Sequence, residues 1–330
     1  MSLPQIGAEG QQRLYAARVA VVGIGALGSV SAELMARAGV GYLRLIDRDY
    51  VSLNNLHRTA LFSEADAADN APKAVAASKA LQAVNSGIQL EAAVTHLSGA
   101  NALELLQDMD LVLDGSDNYE LRYLLNEACD QMGIPWVYAG AVGNFGMVMP
   151  IIPGQTACFR CLAPTPPPPG SYPTCASSGI LGSVSSSVAS IQATEAIKLL
   201  LGRTDNRLPG LLSIDAWNCS FDVIEVQRDA TCPVCGQHQY EQLGHDSGAT
   251  SSALCGRDEY QVLPAAPADL DLSAWAQRLR SQGDVLVSPY ILTFSDTKVR
   301  FKLFADGRMM LKGAQSADQA LAIYSEYLGL

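Results

Sequence analysis

The chain has 330 residues, 48% of them hydrophobic, enough for one large α/β domain and a smaller companion with a substantial buried core. A formal net charge of −11, with the acids scattered, excludes a broad duplex nucleic-acid surface, which needs a concentrated basic patch. Met1–Gly10 has no apolar signal core and no apolar run approaches the roughly 18 residues of a membrane span, so no membrane partner is expected and the expected location is cytoplasmic.

Arg18–Val22 is a short β-rich run entering the glycine loop Gly23-Ile24-Gly25-Ala26-Leu27-Gly28, and Ser29–Ala38 has helical character, which makes a βα unit. A second strand, Tyr42–Ile46, ends at Asp47, within the roughly 20-residue offset of a ribose-binding acid. Lys73–Val84 reads as an alanine-rich helix, Gln89–Val94 as a strand, and Leu111–Leu113 as a buried strand reaching Asp114-Gly115-Ser116-Asp117-Asn118. A helix over Glu120–Met132 and a strand over Trp136–Ala139 complete a doubly wound, Rossmann-like α/β pattern. Six prolines between Ala163 and Pro173 enforce a loop. Small residues follow from Ser177 to Ser190, and Ile191–Leu201 offers a helical core stripe through Ile191, Ala193, Ala196, Ile197 and Leu200.

The polar stretch Gln237–Ser252 marks a boundary, giving 1–240 as the main domain, 241–252 as a linker and 253–330 as a small C-terminal α+β unit. In that unit the expected elements are a helix over Leu272–Arg280, strands over Val285–Phe294 and Lys298–Phe304, a turn at Asp306-Gly307, a strand to Leu311 and a helix over Ala317–Tyr327. It holds no catalytic constellation, so packing or docking is its expected role.

Cys158-x-x-Cys161 and Cys232-Pro-Val-Cys235 each offer two thiolates from one tight turn, and together they make the closed four-sulfur shell of a structural zinc site. No position is left for water, so zinc there does no chemistry. Cys129, Cys219 and Cys255 match no ligand pair and read as buried or incidental, and the four histidines form no nucleophile pair by spacing.

A glycine loop of this kind is shared by many dinucleotide enzymes. Its context narrows it. After Asp47 come Val51-Ser52-Leu53-Asn54-Asn55-Leu56-His57-Arg58, then Ala71-Pro72-Lys73, then the Asp117-Asn118 turn at a strand's carboxyl end. Folded onto one crevice, these supply a ribose-binding carboxylate, two cations for a polyphosphate and a second acid suited to Mg²⁺. A nicotinamide site has no evident use for Arg58, Lys73 and Asp117 together, and no hydride-transfer site is found.

GIGALG, LIDRDYVSLNNLHR, the lysine of APK, LVLDGSDN, CFRC, the cysteine before the small-residue segment, IQATEAIKLLLG and CPVC follow in that order. Over about Pro4–Gly236 this series resembles the ThiF/MoeB/HesA family, relatives of ubiquitin-activating enzymes. The resemblance implies an enzyme that uses MgATP to convert the C-terminal glycine carboxylate of a ubiquitin-like sulfur carrier, ending in Gly-Gly, into an acyl-adenylate with release of pyrophosphate. A ThiS-like or MoaD-like carrier is implied, in thiamine or molybdopterin biosynthesis, with a sulfur donor and a second copy of the chain as further partners. The C-terminal extension favours thiamine.

Carried onto this chain, the resemblance assigns Arg58 and Lys73 to the phosphates, Asp117 to Mg²⁺ and Asp47 to the ribose hydroxyls. Asn54, Asn55 and Asn118 would orient ribose or phosphate through amide hydrogen bonds. Within the Gly23–Gly28 loop the backbone at Gly25 and Ala26 would lie against the nucleotide, Ala26 standing where members often carry glycine. Cys175 matches the cysteine that in some relatives becomes linked to the carrier, and two readings stay open, a covalent role and a loop cysteine without one. Members usually begin with an arginine-containing segment, whereas only Met1-Ser2-Leu3 precedes Pro4 here. The alternative function is therefore a carrier-docking regulatory relative with weak or no adenylation activity.

Overall fold

The structure, a computed structural model, describes residues 3–167, 178–244, 250–253, 259–264, 268 and 270–328. The chain separates into two units, Met1–His245 and Asp246–Leu330. Among the described residues no helix is long and apolar enough to cross a membrane.

The first unit runs α1 (Gly7–Ala16), β1 (Arg18–Val22), α2 (Gly28–Ala38), β2 (Tyr42–Ile46), α3 (Glu64–Ala68), α4 (Lys73–Val84), β3 (Gln89–Ala93), α5 (Ala102–Leu105) and β4 (Leu111–Asp114). It continues with α6 (Tyr119–Met132), β5 (Trp136–Val142), β6 (Phe145–Ile151), α7 (Phe159–Leu162), α8 (Gly182–Leu200), β7 (Leu211–Asp215) and β8 (Ser220–Ile224). Its sheet has the order β3-β2-β1-β4-β5-β6-β7-β8. The strands from β3 to β5 pair in parallel, and those from β5 to β8 pair antiparallel.

β1 and β4 are nearly unbroken apolar runs because both faces of the central sheet are covered. Val19 and Val21 pack with Met35 of α2, Leu81 of α4 and Val188 of α8, while Ala20, Val22 and Val112 pack with Leu125 of α6, Trp136 and Phe159. Each fully buried valine contributes about 1.5–3 kcal/mol relative to exposure. At the far edge the side chains of β8 are exposed throughout.

Four expectations are corrected across the two units. The helix expected from Ile191 begins at Gly182, because the small residues Ser185 and Ala189 let it lie close against the sheet. Its buried face runs through Gln192, Ala193 and Ala196, whereas Ile191, Ile197 and Leu200 are only partly buried. Gln192 is held there by donating to the carbonyls of Asp114 and Val137 at 2.8 and 2.9 Å and accepting from Ser31 Oγ at 2.6 Å. The strand expected to end at Ala139 continues to Val142 and folds back as β6 through a two-residue turn, Gly143-Asn144, with Gly143 at φ +61°.

The second unit contains β9 (Thr250–Ala253), β10 (Tyr260–Leu263), α9 (Leu272–Leu279), β11 (Asp284–Val287), β12 (Ile291–Ser295), β13 (Arg300–Phe304), β14 (Met309–Lys312) and α10 (Ala317–Leu328). They form an antiparallel sheet in the order β11-β12-β13-β14-β10-β9. Here the single strand expected over Val285–Phe294 is a hairpin, β11 and β12, whose turn is closed by Ser288 Oγ accepting from the amides of Tyr290 and Ile291. Pro289 has no amide to give a continuous ladder. The core stacks Phe294, Phe301 and Tyr327 with ring centroids 4.8–5.2 Å apart.

Candidate active site

The carboxyl ends of β1 and β4 approach each other because three glycines permit it. Gly23 has φ +85°, and a Cβ on it would lie 2.8 Å from the Gly115 carbonyl oxygen. A Cβ on Gly115 or Gly28 would lie 2.2 or 1.8 Å from the Gly23 carbonyl oxygen, so no side chain fits at either position. Gly25 differs, for nothing lies within 4 Å of its would-be Cβ, and it borders an open cavity of about 260 Å³. The start of α2 adds the partial positive charge of a helix N-terminus to the same rim.

The structure brings Gly23, Gly25, Ala26, Asp47, Asn55, Arg58, Lys73, Asp117 and Asn118 to the wall of this cavity. Gly28 and Asn54 lie outside the lining: Gly28 packs against Gly23, and Asn54 is exposed, with its carbonyl accepting from Arg58 Nη1 at 2.9 Å. Cys175 lies outside the described residues.

Asp47, at the end of β2, is 8% exposed and accepts from the amides of Ile24 and Asp49, each at 2.6 Å. Burial pushes its carboxyl above the ordinary range, against the pull of Lys73 and of those amides. Lys73 reaches it because the Ala71-Pro72-Lys73 segment is pinned to the chain after β2. The Val51 amide donates to Ala71 at 2.8 Å and the Lys73 amide to Asp49 at 2.9 Å. Lys73 Nζ then stands 3.0 Å from Asp49 Oδ2. Burial alone would lower the ammonium's pKa, but Asp49 and Asp47 outweigh it and hold Lys73 above its ordinary value, charged at every physiological pH.

Asp117 is exposed on the β4–α6 turn, and the neighbouring Asn118 caps α6 by accepting from the Leu121 amide at 2.9 Å. Behind that turn is a pair the sequence did not single out. Arg122 and the fully buried Asp114 face each other with Nε and Oδ2 3.4 Å apart. Arg122 also donates to the Ser116 carbonyl at 3.0 Å and lies against the rings of Tyr119 and Tyr138, 5.4 and 5.3 Å from their centroids. Nothing in the sequence marked Asp114 as the partner of Arg122. Asp49 was missed likewise, being one of two acids two residues apart.

The four predicted cysteines converge further along α6, beside Asn126. Their sulfurs all lie within 4.8 Å of one another, with 3.9 Å between Cys158 and Cys161, 3.6 Å between Cys158 and Cys232, and 3.5 Å between Cys161 and Cys235. Tetrahedral bonds of about 2.3 Å to a metal would set sulfur–sulfur edges of about 3.8 Å. The donor set fits a thiophilic ion. Burial pushes the Cys158 thiol up to about 11, partly offset by the Asn126 amide beside it.

A sequence model of the ThiF family matches residues 1–234. The chain belongs to the ThiF family. Among curated relatives, the sulfur carrier protein ThiS adenylyltransferase of Bacillus subtilis is 35% identical over 328 residues, 98% of this chain and 96% of that one. The sulfur carrier protein adenylyltransferase of Thermus thermophilus is 44% identical over 264 residues, 78% of this chain and 94% of that one. A crystal structure of E. coli MccB with ATP shares the fold, with a TM-score of 0.61 at 23% identity over 68% of this chain and 69% of that one. The ThiF family match thus spans the glycine loop and all but one of the clustered cysteines, while the Bacillus relative extends over the second unit as well.

Proposed function

We propose that this protein is an MgATP-dependent adenylyltransferase that activates the C-terminal glycine of a ThiS-like or MoaD-like sulfur carrier for thiamine or molybdopterin biosynthesis. The observation that carries this reading is the convergence of Asp47, Arg58, Lys73 and Asp117 on one cavity beside a glycine loop. The names of the two curated relatives support the same activity.

In this reading the Gly25-Ala26 backbone lies along the nucleotide and Asp47, held by two amides, receives the ribose hydroxyls. Asn55 and Asn118 orient ribose or phosphate. The carrier's carboxylate attacks the α-phosphorus, a bond forms between a carboxylate oxygen and that phosphorus, and the bond to the leaving pyrophosphate breaks. The nucleophile is already ionised, so the protein supplies position and charge rather than a base. Arg58 and Lys73 neutralise the charge that grows on the transferred group and on pyrophosphate. Asp117 would hold Mg²⁺, which when bound would supply further neutralisation of the same charge. The cavity opens beside Phe145 and Met147, half-exposed on β6, where a narrow Gly-Gly tail has room to enter.

Zinc is the metal assigned to Cys158, Cys161, Cys232 and Cys235, in a closed structural role. The working enzyme is a cytoplasmic homodimer that passes its product to a sulfur donor, and Cys175 is the candidate for a covalent link to the carrier. The direct test is intact-mass spectrometry of a candidate carrier after incubation with the protein and MgATP. A carrier heavier by one adenylyl group is expected. Carrier that binds yet gains no mass would leave a docking protein in place of an enzyme.

A further inference from the structure

We infer that Asn126 is a positioning residue that couples metal occupancy of the cysteine cluster to nucleotide binding in the cleft, acting through Phe159 and the aromatic wall around Arg122. This rests on the cleft being an ATP site and on the cluster holding zinc, as proposed above.

Helix α6 touches both sites. At its start Asn118 and Arg122 border the cavity. One turn beyond Arg122, Asn126 is 1% exposed and faces the cluster. Its Nδ2 donates to Cys158 Sγ at 3.5 Å, and its Oδ1 accepts from the Phe159 amide at 2.8 Å. Both partners belong to the first cysteine turn, so one amide group fixes a metal ligand and the residue next to it. Metal ligands held in this way depend on such outer partners for their orientation.

Phe159 carries the position onward. Its ring is 1% exposed and lies 5.0 Å from Tyr138, 5.2 Å from Tyr123 and 6.3 Å from Tyr119, centroid to centroid. Tyr119 and Tyr138 line the nucleotide cavity and flank Arg122, which in turn holds the Ser116 carbonyl one residue before Asp117. When four sulfurs are drawn to one ion the first cysteine turn has a single position, and Asn126 and Phe159 impose it on that wall. Without the ion that position rests on the Asn126 hydrogen bonds and side-chain packing alone. Contiguity alone is not coupling. The requirement is that both ligands bias the same element, here the turn carrying Cys158 and Phe159, and binding linkage then makes the effect reciprocal.

The test uses the full-length zinc-loaded chain without carrier, so that no turnover occurs. Zinc affinity is measured by chelator competition with and without MgATP, at a temperature where circular dichroism shows the metal-free chain folded. In the wild type, MgATP is expected to tighten zinc by about fivefold or more, and zinc to tighten MgATP by the same factor. Asn126→Ala should bring both factors close to one while each ligand still binds by itself. A residue that merely supports the fold would weaken either affinity and leave their coupling factor unchanged. Asn126→Asp keeps the acceptor for the Phe159 amide and removes the donor to sulfur, so it gives the same reading if the alanine variant does not fold. Zinc affinity indifferent to MgATP in the wild type, or an undiminished factor in the folded variants, overturns the coupling alone. A wild type that binds no nucleotide or no zinc overturns the reading of the sites, and the coupling with it.

Discussion

The nucleotide cleft and the cysteine cluster share helix α6 yet are built in opposite ways. In the cleft Asp117 is exposed, Gly25 has open space where a side chain would be, and Lys73 stands charged beside two acids. At the cluster four sulfurs face one another and three of the four cysteines are buried. A site that acts on a substrate keeps charge reachable; a site that holds a fold together saturates its donors. Perturbations should therefore separate them, the cluster answering in stability and the cleft in rate.

Removing the zinc proposed for the cluster should have the largest effect. Free zinc at a thousand times its dissociation constant stabilises the folded chain by about 4 kcal/mol, so stripping it should lower the melting temperature in scanning calorimetry. The cluster packs against only one of the two cores flanking the sheet, so the chain should stay folded at 25 °C. Next is Asp117→Ala, expected to lower kcat for adenylation by about 10²–10³ through lost charge stabilisation. Its melting temperature should not move, because Asp117 is exposed; a fall would show the residue to be structural. A smaller effect is expected from Gly25→Ala, whose new methyl meets no protein atom within 4 Å. It should melt like the wild type and raise the KM for ATP about tenfold, since the backbone there must approach phosphate closely. Smallest is Asn54→Ala, which should change steady-state rates by less than about twofold, as expected of an exposed side chain outside the cavity.

What the sequence disclosed follows the same division. The apolar runs of β1 and β4 and the paired cysteines were legible because burial on two faces and thiolate ligation each demand residue types that little else explains. Asp47, Arg58, Lys73 and Asp117, which the structure brings to one cavity, could be read together only as an ordered series, since residues of these types are commonplace on protein surfaces. The Asp114–Arg122 pair and the Asn126 amide were not legible, because their partners depend on how β4, α6 and α7 pack. The early start of α8 was hidden by serines, which read as loop in isolation but act here as small residues at a tight helix–sheet contact. The β11–β12 turn was overlooked although Pro289 marked it, because the flanking residues formed one long apolar run.

Activation of a carrier's carboxylate with ATP in the cleft is measured most directly, with the whole chain, by ATP–pyrophosphate exchange. Radiolabelled pyrophosphate should enter ATP in the presence of Mg²⁺ and a ThiS-like or MoaD-like carrier ending in Gly-Gly, and should not do so when the terminal glycine is deleted. Exchange that ignores the carrier, or none with any carrier although ATP and carrier both bind, would contradict it.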